Sequence, residues 1–298
     1  MSRRIEIVEV GPRDGLQNEP DIVATTDKVA LIERALEFGV RRIEVASFVN
    51  PKRVPQMADA EAVLEAVAPR AGVTRIGLVL NQRGAERALA TNVEELGAVA
   101  VASDAFAIRN QGQSSEESVT VAAEIIAMAK AAGRMGQVTI SAAFGCPFEG
   151  EVDPARVVAM AARLAAARPR EIALADTIGC AVPAQVSDLI VRVRAVVGDV
   201  PLRAHFHNTR NTGLANAWAA VEGGVATLDS SLGGLGGCPF APKATGNIPT
   251  EDLLYLLTRS GVATGLDLDA AIDAGRWLSE MMGRPLPAMV SRAGAFPG

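Results

Sequence analysis

The sequence holds only two histidines, His205 and His207, and they stand two residues apart in the strand-like run Leu202–His207. Side chains at i and i+2 of a strand share a face, with Cα atoms roughly 6.5–7 Å apart. One metal ion can bridge that span. Asp14 and Asn247 offer oxygen donors if the fold brings them to the same place. Two imidazoles with oxygen ligands and no thiolate cage suit a divalent ion such as Mg2+ or Mn2+ in an open octahedral site, rather than structural zinc. Arg13, beside Asp14, is a charge suited to a developing oxyanion; a surface ion pair or a turn is its plainer use. Glu44 and Asp176 fall in strand runs as interior carboxylates, costly to bury unless paired or working. Their structural alternative is an ion pair with an interior arginine such as Arg203.

Cys238 ends the run Ser231-Leu232-Gly233-Gly234-Leu235-Gly236-Gly237-Cys238-Pro239. Such a glycine-rich loop can cradle a phosphate or move as a lid, and a thiol with a pKa near 8.5 can serve as a proton donor. Cys146 and Cys180 read as small core or loop residues. Lysine occurs only at Lys28, Lys52, Lys130 and Lys243, none in a strand run, which speaks against a Schiff-base mechanism.

For these residues to meet, the elements between them must form a closed array. Strand runs are expected at Ile5–Gly11, Arg41–Phe48, Thr74–Leu80, Gly97–Ser103, Gln137–Phe144, Glu171–Thr177, Leu202–His207 and Thr227–Leu232. Helical stretches fall near 27–39, 56–68, 83–91, 115–132, 154–168, 183–197, 212–223 and 250–260, with Asp27 and Ser115 as candidate caps. Eight such units predict a (β/α)8 TIM barrel over about 5–262, in one catalytic domain spanning 1–298. A C-terminal helical extension, about 263–298, carries an additional helix near 268–282. An open dinucleotide-binding sheet is disfavoured, because the turn after strand 1 lacks the G-x-G-x-x-G spacing. Barrel enzymes build their sites at the C-terminal strand ends. Arg13, Asp14, Glu44, Asn81, Ser141, Asp176, Thr177, His205, His207, Cys238 and Asn247 all collect there.

Composition narrows the function classes. Of 298 residues, 49% are hydrophobic and 4% aromatic, and 29 Lys and Arg face 34 Asp and Glu. The acidic balance and few aromatics argue against nucleic-acid binding. Three cysteines make no disulfide framework. The start shows no signal-peptide apolar core, and no run approaches the roughly 18 apolar residues of a spanning helix. A cytoplasmic protein with no membrane partner is expected.

Four motifs, in order, resemble the 3-hydroxy-3-methylglutaryl-CoA lyase family. They are Gly11-Pro12-Arg13-Asp14-Gly15-Leu16-Gln17-Asn18-Glu19, Gly145-Cys146-Pro147-Phe148-Glu149-Gly150, His205-Phe206-His207-Asn208-Thr209 and Gly236-Gly237-Cys238-Pro239. The likeness runs from about residue 5 to 280. It implies cleavage of 3-hydroxy-3-methylglutaryl-CoA, an acyl-CoA substrate, to acetyl-CoA and acetoacetate with Mg2+ or Mn2+, in leucine breakdown. Its metal ligands fall on Asp14, His205, His207 and Asn247, its substrate arginine on Arg13 and its lid cysteine on Cys238. Glu44, Asp176, Thr177, Ser141 and Gln17 match further active-site positions. The general base stays open among His205, Asp14 and Glu44. Asn208 and Asn211 depart from the family's usual Asp and Gly, and are expected at the substrate mouth, where they would bear on substrate identity. Alternatives are a lyase for citramalyl-CoA, a condensing synthase, for which the chain lacks the usual extra C-terminal regions, and a non-catalytic CoA- or metal-binding barrel. A homo-oligomer is expected.

Overall fold

The computed structural model describes residues 3–237 and 246–297. Eight parallel strands close into a barrel: β1 (Glu6–Glu9), β2 (Arg42–Ser47), β3 (Thr74–Val79), β4 (Glu95–Val101), β5 (Met135–Ser141), β6 (Ile172–Asp176), β7 (Leu202–Phe206) and β8 (Thr227–Ser230). β8 pairs with β1, as Glu6↔Thr227 through Glu9↔Ser230, so the first and last strands meet. The TIM barrel expected from the alternation is the fold observed.

The helices are α1 (Thr25–Glu37), α2 (Ala60–Ala66), α3 (Gln82–Leu89), α4 (Asp104–Gln111), α5 (Ser115–Ala131), α6 (Pro154–Ala166), α7 (Pro183–Val197), α8 (Gly213–Glu222), α9 (Thr250–Arg259), α10 (Leu268–Met281) and α11 (Val290–Ala293). Pro154 and Pro183 open α6 and α7, where a missing N–H is harmless. Two expected caps sit elsewhere. Asp27 lies in the first turn of α1, after Ala24, while Ser114 caps α5 in a capping box with Glu117. Helix α4 was not expected. Ser103 caps it by accepting from the Phe106 N–H, and Gly112 ends it in a left-handed conformation. α10 packs on α1 and α9 and on the turn Leu232–Gly234 that follows β8.

The main core lies between barrel and helices and gathers outward strand residues such as Ile5, Ile7, Ile43, Val45, Ile172 and Leu174. The barrel interior differs from the usual branched apolar filling. Val8, Val10 and Ile76 make a separate small apolar cluster there. Around it, Arg42 donates to Glu95 (2.7 Å) and Glu171 (2.8 Å), Thr227 donates to Glu171 (2.9 Å), and Arg203 donates to Asp229 (2.9 Å). Every one of these charges is buried and paired, which is what makes their burial tolerable.

Candidate active site

The chain leaves β1 into a single wide turn, Gly11–Gly15, in which the Leu16 N–H reaches back to the Gly11 carbonyl (3.0 Å) and that of Gly15 to Val10 (3.2 Å). Such i→i+5 turns recur at functional sites because they re-aim side chains. Here Arg13 and Asp14 are both turned over the barrel mouth. Arg13 Nε and Nη2 lie 2.7 and 2.5 Å from Glu44 Oε2, and Nη1 lies 2.6 Å from Asp14 Oδ1. Glu44 therefore pairs with Arg13 and not with Arg203. Burial opposes the charge of Arg13, and the two carboxylates more than offset it, so its pKa rises. Burial also pushes Glu44 above the usual carboxylate range against the pull of Arg13.

His205 and His207 share the inward face of β7, their ring centroids 5.1 Å apart. Strand pairing ends one residue earlier than expected, at Phe206, and His207 continues as a bridge to Asn247. Asp14 Oδ2 lies 3.9 Å from His205 Nε2, 3.7 Å from His207 Nε2 and 3.0 Å from Asn247 Nδ2. Burial alone would raise the Asp14 pKa, but the charge of Arg13 and the two histidines hold it well below the ordinary range.

The segment Gly246–Pro249 lies across the ends of β7 and β8, through Asn208 N to Gly246 O (3.0 Å) and Ser231 N to Ile248 O (3.1 Å). Gly236 and Gly246 make this possible. A Cβ on Gly246 would stand 2.7 Å from the Gly236 backbone, and one on Gly236 would stand 2.7 Å from Asn247 Nδ2. Only glycine lets Asn247 come this close to Asp14.

One carboxylate and two imidazoles thus present donor atoms within 4.8 Å of one another. The buried Asn247 Oδ1 has no hydrogen-bond partner among the described residues. An ionised carboxylate, two ring nitrogens and an uncommitted amide oxygen fit a divalent cation of the Mg2+ or Mn2+ type.

The cluster forms one wall of a cavity of about 460 Å3. Gln17, Ser141, Thr177, Arg203 and Asp229 also line it, with Arg53 and Arg109 among its other lining residues. Ser141 and Thr177 hydroxyls lie 3.0 Å apart.

A family model described as HMGL-like matches residues 4–277. The chain belongs to the HMGL-like family. It is 46% identical over 300 residues to (R)-citramalyl-CoA lyase of Chloroflexus aurantiacus, covering 97% of this chain and 95% of that protein. It is 41% identical over 293 residues to mitochondrial hydroxymethylglutaryl-CoA lyase of Rattus norvegicus, covering 98% and 90%. The crystal structure of hydroxymethylglutaryl-CoA lyase from Pseudomonas aeruginosa superposes with a TM-score of 0.93 at 39% identity, covering 98% of each chain.

In this HMGL-like barrel not every residue singled out from the sequence faces the cavity. Thr177 does, but its neighbour Asp176 points the other way, as alternation along a strand requires. The Asp176 carboxylate accepts from the Cys180 (2.9 Å) and Ala181 (3.0 Å) N–H groups and shapes the turn after β6. Asn208 and Asn211 do not line the cavity, contrary to expectation; they border a separate hollow beside Asn247. Asn208 Oδ1 accepts from Gly213 N (3.1 Å), and Asn211 has φ +56°, a conformation that asparagine tolerates and glycine prefers. Cys146 is buried and accepts from the Ser103 hydroxyl, and burial pushes the Cys180 thiol up to about 12, so neither is a ready nucleophile. Cys238 lies outside the described residues. Asp229 was missed. The available signal was a lone carboxylate on the inward parity of β8, beside the histidine-bearing strand.

Proposed function

We propose that the chain is a divalent-metal-dependent carbon–carbon lyase that cleaves 3-hydroxy-3-methylglutaryl-CoA to acetyl-CoA and acetoacetate. The observation that carries this is Arg13 wedged between Asp14 and Glu44 beside His205 and His207, on one wall of a cavity sized for an acyl chain. The names of the relatives supply the thioester class.

The reaction breaks the C2–C3 bond. The C3 hydroxyl loses its proton and becomes the ketone of acetoacetate, while the bonding pair passes to C2 as a thioester enolate. A bound Mg2+ or Mn2+, held by Asp14, His205, His207 and Asn247, supplies the Lewis acidity that makes a tertiary hydroxyl acidic near neutral pH. The candidate bases are Asp14 and His205, which line the cavity, and Glu44, which is buried against Arg13 and does not itself line it. Arg13, a permanent cation fixed by two carboxylates, neutralises the enolate oxygen. Ser141, Thr177 and Gln17 orient the substrate by hydrogen bonds to its polar groups. The resemblance puts its lid cysteine at Cys238, which would protonate C2 or shield the enolate from water.

A second substrate has its own support. The citramalyl-CoA lyase relative is 46% identical, against 41% for the rat enzyme. Citramalyl-CoA also carries a tertiary C3 hydroxyl and a free carboxylate, one methylene shorter, and the same residues would release acetyl-CoA from it with pyruvate. The purified protein, incubated with each thioester in Mg2+ or in EDTA, is expected to release acetyl-CoA from 3-hydroxy-3-methylglutaryl-CoA only when metal is present. Release from citramalyl-CoA alone would transfer the activity to that substrate. Release from neither would sink the lyase reading.

A further inference from the structure

A neutral imidazole has one donor and one acceptor nitrogen, and only the acceptor can ligate a cation. What decides between them at His205 lies on the neighbouring strand. His205 Nδ1 is 3.0 Å from Asp229 Oδ2, while Nε2 is turned toward Asp14. Asp229 is 2% exposed, and its freedom is further removed by Arg203, whose Nε lies 2.6 Å from Oδ1 and whose Nη2 donates to Oδ2 at 2.9 Å. Arg203 is in turn held by Gln137 and by Glu171 (3.3 Å), and Glu171 by Arg42 (2.8 Å) and Thr227 (2.9 Å). The carboxylate beside His205 is therefore anchored through the barrel interior and cannot swing away from the ring.

We propose that Asp229 is a positioning residue for His205. It accepts a hydrogen bond from Nδ1–H, fixes the ring in the Nδ1-protonated tautomer, and so keeps the Nε2 lone pair directed at the space shared with Asp14 and His207. An arginine needing only a counter-charge would be served by Glu171 alone. The sharing of Asp229 Oδ2 between Arg203 and the ring is what a purely structural ion pair does not require. Ligand histidines commonly depend on such a carboxylate behind the ring, and its loss typically costs 10–100-fold in metal affinity. The inference rests on the metal-dependent reading of the site, but its test separates the two.

With only two histidines, 15N-histidine labelling gives a spectrum of two rings, assigned with His207→Gln. In metal-free protein, at a pH where both rings are neutral, His205 is expected as the Nδ1-protonated tautomer. Asp229→Asn turns an amide N–H2 toward either the ring or Arg203. The tautomer should be lost and Mn2+ affinity, measured by titration, should fall by about 10–100-fold. Glu95→Gln weakens the same interior network at Arg42 and Arg170 without touching Arg203 or His205. It should leave both readouts at their wild-type values. An unchanged tautomer and Mn2+ affinity in Asp229→Asn, or an equal loss in Glu95→Gln, would overturn the proposal. If Asp229→Asn does not fold, an Nε2-protonated His205 in the wild-type protein overturns it on its own. If the wild-type protein binds no Mn2+, the metal reading fails, and the tautomer still decides the role of Asp229.

Discussion

Arg13 touches two carboxylates that would each be costly without it, so its replacement tests chemistry and electrostatics together. Arg13→Met is expected to lower kcat by about 100–1,000-fold, the scale of losing one oxyanion-stabilising donor. KM should change little; a rise in KM with kcat intact would remove Arg13 from the enolate role. The histidine pair was legible at this scale, because H-x-H in a strand fixes a shared face without knowledge of the rest of the fold. Asp229 was not, because its function depends on β8 lying beside β7 and on inward parity in both strands. In the expected strand Glu171–Thr177, parity lets only one of Asp176 and Thr177 face inward, and it is Thr177 that lines the cavity.

Glu9, at the end of β1, joins three elements of the site's framework. Its Oε1 accepts from Gly11 N (2.8 Å) and Leu232 N (2.9 Å), and its Oε2 from the Thr250 hydroxyl (2.6 Å). Glu251, in α9, accepts from Gly233 N (2.9 Å) and the Ser291 hydroxyl (2.7 Å). Burial raises each carboxyl from 4.5 to about 7. Between those values the folded protein holds protons that the unfolded chain has released. Their contribution is therefore fully present below pH 4.5 and is lost as pH rises to about 7. Thermal unfolding in EDTA should show a midpoint that falls across this window. Glu9→Gln should flatten the fall, removing a dependence on the order of 3 kcal/mol. The amide oxygen can still accept from Gly11 and Leu232, and its N–H2 can donate to Thr250, whose own proton can turn to Ser230 Oγ (2.8 Å). An unchanged slope in Glu9→Gln would show that Glu9 is not the titrating group. The order of the eight barrel strands and of the helix that follows each was legible from alternating strand and helix patterns, whereas α4 and α11 were not. Boundaries were less legible: β4 and β5 each begin and end earlier than their apolar runs suggested. α4 is set by a serine cap and a left-handed glycine more than by an apolar stripe.

For the molecule as a whole, the barrel holds an ion-pair network where branched apolar side chains usually sit. Arg42→Met would leave Glu95 and Glu171 buried without their shared cation, and should destabilise the fold by about 3–5 kcal/mol. Arg42 lies outside the cavity, so kcat at a temperature where the variant is folded should stay at its wild-type value. A stability change below 1 kcal/mol would mean that the network contributes little. No helix among the described residues is long and apolar enough to cross a membrane.

The metal centre is the central claim, and Mn2+ binding tests it without reference to substrate. In equilibrium titration followed by the signal of free Mn2+, the account predicts one ion bound per chain, displaced by Mg2+, with binding abolished in Asp14→Asn and His207→Ala. A wild-type protein that binds no ion, or an Asp14→Asn variant that binds it as tightly, would contradict the account.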